Sequence, residues 1–235
     1  MEGGRAVTAP GTETGDRTAF LARLRERLAG GVPENLAHPL PPPLDGVPLV
    51  RSNRLDPSDI VGSFIRNAEA TRAVVHDRTV ADGHMPDDLL AELVERHVVR
   101  RAVVSREPEA RHIGDRLQDL GVAVDPVSIA TSSRADLGVT SAVAAIATTG
   151  TLVQDSHVVG GRSVSLLPPV HLCVLPAHRI VPTSAEVLRG LGDGRVLPSN
   201  LVLITGPSRS GDIEQIMALG VHGPLVVEIA LLRAG

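Results

Sequence analysis

A run rich in glycine, serine and arginine at residues 205–212 has the composition of an anion-binding loop. The apolar residues 201–204 before it predict a central parallel strand, and the apolar residues after it recur at the spacing of a helix. The unpaired N–H groups and the positive dipole end at the start of a helix attract anions. The predicted ligand-binding residues of this loop are Gly206, Ser208, Arg209, Ser210, Gly211 and Asp212.

Each residue type in the loop has a physical role in this prediction. Gly206 and Gly211 permit close approach of the backbone, and Arg209 can hold a carboxylate or phosphate through two N–H groups. Ser210 or Asp212 could alternatively do no more than cap the helix, and capping is compatible with binding. The spacing of the two glycines matches a Walker motif, but Asp212 stands where that motif requires lysine, so ATP hydrolysis is excluded.

Two further segments could complete the same pocket. Two glycines and Arg162 precede a strand predicted to begin at Ser163, which suits either a second anion contact or a hairpin turn. His222 is either a titratable group at the edge of the pocket or a turn histidine satisfied by backbone. Glu214 is a candidate acid or base on the predicted helix. The catalytic residues are otherwise unassigned.

The composition excludes several classes of function. All 23 basic residues are arginine, so the chain can form no Schiff base and has no P-loop lysine. A net charge of −4 without a basic run, together with only two aromatic residues, argues against nucleic-acid binding. The nine histidines show no paired spacing, so no metal site is predicted. Cys173, the single cysteine, is predicted to be a small buried hydrophobe, which leaves no ligands for an iron–sulfur cluster in this chain.

The chain is expected to be a cytoplasmic protein with one α/β domain. No apolar stretch approaches the roughly 20 residues that cross a bilayer, and no signal peptide is evident. Residues 1–16 have the composition of a disordered tail, and residues 17–45 predict an amphipathic helix and a proline-rich connector. Helix and strand patterns alternate over residues 46–235, with Asp56 as the first predicted helix cap, which predicts three layers around a mainly parallel sheet. Strands are predicted near residues 73–76, 102–105, 122–124, 142–147, 151–154, 163–167, 172–175, 201–205 and 225–231, and helices near residues 86–97, 108–120 and 183–189.

Several ordered segments in the second half of the chain together resemble the lactate utilization protein C family, also called the LutC/YkgG or LUD-domain family. These segments are residues 135–140, 145–151, 163–168 with His171, 180–182, 205–214 and 220–224. The N-terminal half fits the family more loosely. A match of so many segments in the same order is far more specific than any one of them.

The resemblance implies a fold like that of the ribose-phosphate isomerase, glucosamine-phosphate deaminase and CoA-transferase group. It also implies a role in oxidising L-lactate to pyruvate beside partner proteins that hold the iron–sulfur clusters. One departure is Thr148, since relatives often carry Glu or Asp immediately before the Thr-Gly-Thr of residues 149–151. A glutamate in a comparable setting is the nucleophile of CoA transferases, so acyl transfer through a glutamyl thioester is disfavoured at this position.

The sequence leaves more than one function open. The first is a component of L-lactate utilization that binds lactate, pyruvate or another small anion between Arg162 and Arg209. The second is a stand-alone enzyme acting on a sugar phosphate or an acyl-CoA, with Glu214 or His222 as the acid or base. A third is a scaffold whose N-terminal helix docks a partner. The residues alone do not identify the ligand or the oligomeric state.

Overall fold

The computed structural model describes residues 55–156, 161–192, 200–211, 217–219 and 223–235, together with Ala22 and Glu26. The chain divides into two units, Met1–Val50 and Arg51–Gly235. Ala22 and Glu26 are helical and exposed, at positions inside the predicted N-terminal helix. The predicted tail at residues 1–16 and the proline-rich connector lie outside the described residues, so these boundaries stay predictions.

The second unit is built on a six-stranded sheet in which every neighbouring pair of strands is parallel. This sheet confirms the prediction of a mainly parallel α/β fold. Its central strands β4 and β7 are buried on both faces, as a position between two layers requires. In spatial order the strands are β1 (Val74–Val80), β12 (Val226–Ala234), β7 (Val170–Pro176), β4 (Leu137–Ser141), β2 (Arg101–Val104) and β3 (Ala123–Asp125).

A smaller, four-stranded sheet lies between β4 and β12 in the chain. In spatial order its strands are β8 (Ile180–Val181), β5 (Ala144–Ile146), β6 (Thr151–Asp155) and β9 (Leu201–Ile204). β5 pairs in parallel with β8 and antiparallel with β6, and β6 pairs antiparallel with β9. A two-stranded antiparallel ribbon joins β10 (Arg209–Gly211) to β11 (Met217–Leu219).

The helices begin where local chemistry favours a helix start. The bounds are α1 (Ile60–Ala70), α2 (Asp87–Arg96), α3 (Pro108–Asp119), α4 (Ile129–Ser132), α5 (Ser163–Leu166) and α6 (Ser184–Gly192), with a 3-10 turn at Ala177–Arg179. Pro108 is the first residue of α3. An N–H at this position has no partner within the helix, so proline loses no hydrogen bond there. The predicted first cap, Asp56, is wrong: Asp59 caps α1 and accepts the Gly62 N–H at 2.8 Å, while Asp56 accepts the Ser58 N–H at 2.9 Å in the preceding turn.

Alternate residues of the large sheet face two different cores, which makes the domain three-layered. On one face, Leu172 and Val174 of β7 pack with Ile113 and Leu117 of α3 and with the leucines of α2. On the other face, Cys173 and Leu175 pack with Phe64 of α1 and with the small sheet. Cys173 is fully buried, as predicted. Among the described residues, no helix is long and apolar enough to cross a membrane.

Two local predictions fail because tertiary contacts outweigh local pattern. Residues 163–167 were predicted as a strand, but Leu166 and Leu167 donate their N–H groups back to Arg162 and Ser163, and residues 163–166 form the helix α5. β4 was not predicted, since its sequence Leu-Gly-Val-Thr-Ser mixes apolar and turn-forming residues. All five of its residues are buried, because neighbouring strands flank it on both sides.

Candidate functional site at the carboxyl edge of the parallel sheet

At the described positions, strands and not the predicted helix follow the start of the loop that was expected to bind an anion. Residues 209–211 form β10, which pairs with residues 217–219 of β11 across the predicted helix. β9 is also not a central parallel strand, since it lies at the edge of the small sheet and pairs antiparallel with β6. The helix predicted after the loop is therefore wrong at the positions that the structure describes, and these positions give no support to a helix dipole as the source of anion affinity.

The start of the same loop lies at the amino edge of the large sheet. Gly206 has a φ of +73°, and a Cβ there would lie 2.4 Å from the carbonyl oxygen of Thr71, just before β1. Ser208 donates its N–H to the carbonyl of Pro224 at 3.0 Å, just before β12. Open parallel sheets bind ligands at the opposite, carboxyl edge. Gly206 thus has a structural reason to be glycine that requires no ligand.

Arg162 and Ser163 lie in different surroundings from this loop. Arg162 is exposed at the start of α5, and Ser163 accepts a hydrogen bond from the Ser132 hydroxyl at 3.2 Å. A cleft of about 590 Å³ is lined there by Val127, Ser128, Ile129, Gly161, Arg162, Ser163, Leu166 and Leu167. None of these lining residues comes from residues 205–211, so the described residues do not form one pocket from both segments.

The remaining predicted site residues are only partly described. Asp212, Glu214 and His222 lie outside the described residues. For Arg209, Ser210 and Gly211, the structure gives the strand β10 and nothing of the side chains. Their roles in ligand binding or catalysis stay predictions.

The fold itself marks a different position for a ligand. β2 continues into α3 on one face of the large sheet, whereas β4 continues into β5 on the other face. Neighbouring strands whose connections leave in opposite directions form a topological switch point, and open α/β sheets bind ligands in the crevice at its carboxyl ends. The Ser105 N–H donates to the Val139 carbonyl at 2.9 Å and holds the loop after β2 beside the end of β4.

A cavity of about 320 Å³ lies at this switch point, and we call it the Glu107 cleft. Its walls come from the loop after β2, the end of β4 and the turn after β7. The lining residues are Glu107, Pro108, Glu109, Ser141, Val143 and Arg179. The sequence signal that could have found them is their position directly after the apolar strands, since the carboxyl ends of parallel strands meet at one edge.

Glu107 is the most unusual side chain of this cleft. It is 4% exposed, and neither of its carboxylate oxygens has a hydrogen-bond partner among the described residues. Burial raises the pKa of Glu107 above its usual range, and the polar groups nearest its carboxyl, the Ser105 side chain and the backbone of Glu107 and Ser141, offset this only in part, although none of them meets hydrogen-bond geometry with it. A buried carboxyl with a raised pKa can exchange a proton or a hydrogen bond with a ligand.

Arg179 is held in place at the other side of the cleft. Its Nη1 donates to the Ser141 hydroxyl at 3.0 Å and to the Ala142 carbonyl at 2.9 Å, and its Nη2 pairs with the carboxylate of Glu109. A guanidinium carries five N–H donors, so two of the five on Arg179 have no partner among the described residues. These two N–H groups can donate hydrogen bonds to the oxygens of a carboxylate or phosphate.

A polar network is buried between the two sheets, beneath this edge. Thr140 Oγ1 lies 2.8 Å from His171 Nε2 and also accepts a hydrogen bond from the Gln154 amide. His171 is fully buried, and burial lowers its pKa to about 4. Because His171 has no exposed surface, we assign this network to the stability of the fold and not to ligand contact.

A second buried cluster surrounds Glu228 on β12. His76 Nε2 and His97 Nε2 each lie 2.7 Å from one of its carboxylate oxygens, and Arg96 Nη1 lies 3.5 Å away. Burial by itself raises the pKa of Glu228, but the hydrogen bonds and charges of His76 and His97 outweigh it and lower the pKa below the usual range. Among the described residues, no group of three or more His, Cys, Asp or Glu side chains has the arrangement of a metal site.

We expect Glu228→Gln to lower the free energy of unfolding by about 3 kcal/mol at pH 7, since it removes the charge that this buried cluster is built around. Because the folded-state pKa is lowered, this stability is present above the ordinary pKa of 4.5 and is lost as the pH falls below it. Urea denaturation at pH 7 and pH 4 measures both effects. Glu95→Gln, on the exposed side of α2, is the matched control, and an equal loss in both variants would contradict the assignment.

Comparisons with known proteins agree with this architecture. Residues 126–232 match the model of the LUD domain. Lactate utilization protein C of Bacillus licheniformis is 38% identical over 116 residues, which are 48% of each chain. The same-named protein of Bacillus subtilis is 38% identical over 102 residues, which are 42% of each chain. The matched region thus spans about half the length of these curated relatives.

A solved structure supports the fold over more of the chain. The crystal structure of a DUF162 family protein from Deinococcus radiodurans superposes with a TM-score of 0.54 at 24% sequence identity. The match covers 76% of this chain and 99% of that one. The resemblance drawn from the ordered sequence segments is confirmed, and so is the three-layer α/β architecture.

Proposed function

We propose that this protein is a component of L-lactate utilization, since residues 126–232 match the model of the LUD domain. The observation that carries the proposal is the 38% identity to lactate utilization protein C. In this role the protein binds a small carboxylate and acts beside partner proteins while lactate is oxidised to pyruvate. The proposal does not depend on the loop at residues 205–212.

The redox centres of the proposed assembly belong to the partners. Oxidation of lactate to pyruvate removes two electrons and two protons, which an electron acceptor must take up. Cys173 is the single cysteine and can supply at most one ligand to an iron–sulfur cluster, and it is fully buried with a pKa that burial raises to about 12. We therefore place the iron–sulfur clusters in partner proteins and no cofactor in this chain.

Deletion of the gene should abolish growth on L-lactate as the sole carbon source, while growth on glucose continues at the parental rate. Expression of the full chain in the deletion strain should restore growth on L-lactate, which shows that the loss is due to this protein and not to a neighbouring gene. Growth curves on the two carbon sources are the measurement. Unimpaired growth of the deletion strain on L-lactate would refute the proposed function.

The predicted ligand contacts of Arg162 and Arg209 can be tested in the same strain. Arg162→Ala and Arg209→Ala should fail to restore growth on L-lactate if these arginines hold the ligand. Arg78→Ala is the matched control, because Arg78 is an exposed arginine on β1 whose side chain, among the described residues, bonds only to the neighbouring Asp77 carbonyl. Restoration by all three variants would remove Arg162 and Arg209 from the site.

A further inference from the structure

We propose that the Glu107 cleft binds a small 2-hydroxycarboxylate, with the carboxylate of the ligand on Arg179 and its hydroxyl on Glu107. The choice of a hydroxy acid rests on the proposed function, whereas the position of the site rests on the fold. The cleft lies at the switch point between β2 and β4, where the sheet leaves a crevice. Its volume of about 320 Å³ suits a small molecule.

The unpartnered carboxyl of Glu107 is the first argument for a ligand. A buried polar group without a partner costs about 1–3 kcal/mol of stability, and a charged group costs more. Glu107 lines the cleft and is only 4% exposed. Neither of its carboxylate oxygens has a hydrogen-bond partner among the described residues. A hydroxyl group on a ligand satisfies this carboxyl in either protonation state, as donor to the carboxylate or as acceptor from the acid.

The second argument is the fixed orientation of Arg179. Glu109, Ser141 and the Ala142 carbonyl occupy three of its donors and determine where the guanidinium lies. The two remaining donors are available to a carboxylate without any rearrangement of these contacts. A preorganised arginine loses little conformational entropy when it binds, which favours its use as an anchor.

The charge balance of the cleft is compatible with a monoanion. Glu109 neutralises the single positive charge of Arg179, so an ionised Glu107 would leave the lining with a net negative charge. Burial raises the pKa of Glu107, which favours the neutral acid and reduces repulsion of an incoming carboxylate. A phosphate dianion would meet the same single arginine with twice the charge, and we therefore expect it to bind more weakly than a hydroxy acid.

The test is calorimetric titration of the full chain with L-lactate, propionate and inorganic phosphate. Propionate has the carboxylate of lactate but lacks the hydroxyl, so we expect it to bind about tenfold more weakly, the effect of one hydrogen bond to a buried group. Equal affinity for lactate and propionate, or tighter binding of phosphate than of lactate, would overturn the proposal.

Two variants separate the two halves of the site. Glu107→Leu should bring the affinity for lactate down to that for propionate and leave propionate unchanged within about twofold. Arg179→Gln should weaken both ligands by at least about tenfold. Glu95→Leu, which changes an exposed glutamate of α2 in the same way, is the control and should behave as the unmutated protein. A lactate preference that survives Glu107→Leu refutes the role of Glu107.

Loss of folding cannot produce the result expected for Glu107→Leu. Leucine replaces an unpartnered buried carboxyl by an apolar group of similar size, so the urea midpoint of this variant should rise. The growth experiment and the binding experiment also test the two proposals separately. If the protein binds no lactate but is required for growth on lactate, ligand binding in the Glu107 cleft is refuted and the proposed function stands. If the protein binds lactate but is dispensable for growth on lactate, the proposed function is refuted and ligand binding in the cleft stands.

Discussion

Gly138→Ala is expected to lower the free energy of unfolding by about 3 kcal/mol, because the new methyl group has no space. Gly138 lies in the middle of β4, and a Cβ there would stand 1.9 Å from the carbonyl oxygen of Val164 and 3.0 Å from its carbonyl carbon. The neighbouring atoms are backbone and cannot rotate away. To admit the methyl group, α5 must move off the sheet, which also disturbs the buried contacts of Val164.

Gly190→Ala is the matched control for this substitution. Gly190 lies in α6, is exposed, and a Cβ there would meet nothing within 4 Å. Because alanine favours a helix over glycine, we expect this variant to gain about 0.5–1 kcal/mol. Urea denaturation of both variants measures the contrast. A loss below about 1 kcal/mol for Gly138→Ala would show that α5 yields without strain.

The second large effect concerns the pH dependence of stability, which we expect His171 to dominate between about pH 6.5 and pH 4. Burial lowers the pKa of His171 from 6.5 to about 4, so the unfolded chain binds a proton in this range that the folded chain does not. The contribution of His171 to the free energy of unfolding is therefore complete above pH 6.5 and falls as the pH is lowered to about 4. A shift of this size corresponds to about 3 kcal/mol.

His171→Gln should remove this pH dependence while it retains a polar partner for Thr140. Relative to the variant, the unmutated protein should lose about 3 kcal/mol of its free energy of unfolding between pH 7 and pH 4. His178→Gln, which changes an exposed histidine, should leave the pH profile unaltered. If the profiles of all three proteins are parallel, His171 binds its proton over the same pH range in the folded and unfolded chains, which contradicts the cause assigned here.

Residues 135–140, one of the segments that carried the family resemblance, have structural roles. In residues 135–140, Asp136 accepts the backbone N–H groups of Arg100 and Arg101 at 2.9 Å each, and Gly138 makes room for α5. Thr140 joins His171 and Gln154 in the buried network. These residues fix the packing of β4 against its neighbours, so a match to them identifies the fold more directly than it identifies a ligand.

The amino-acid sequence by itself determined the architecture of the domain and the chemistry it lacks. Apolar runs alternate with amphipathic helices along the chain, and this local pattern is sufficient to predict a mainly parallel sheet covered on both faces. The absence of lysine excludes a lysine Schiff base, and the single cysteine predicts that iron–sulfur clusters lie outside this chain, because such chemistry depends on which residue types are present at all.

Only the tertiary structure decided where a ligand site lies. Residues 209–211 are a strand because β11 pairs with them, and no local pattern contains that pairing. Glu107, Ser141 and Arg179 follow three different strands, and only the spatial order of the parallel sheet brings them to one cleft. The loop that offered the clearest chemistry in the sequence thus begins at the amino edge, while the unpartnered carboxyl lies at the carboxyl edge. Burial and strand order are properties of the whole fold, which is why the sequence pattern could not reveal them.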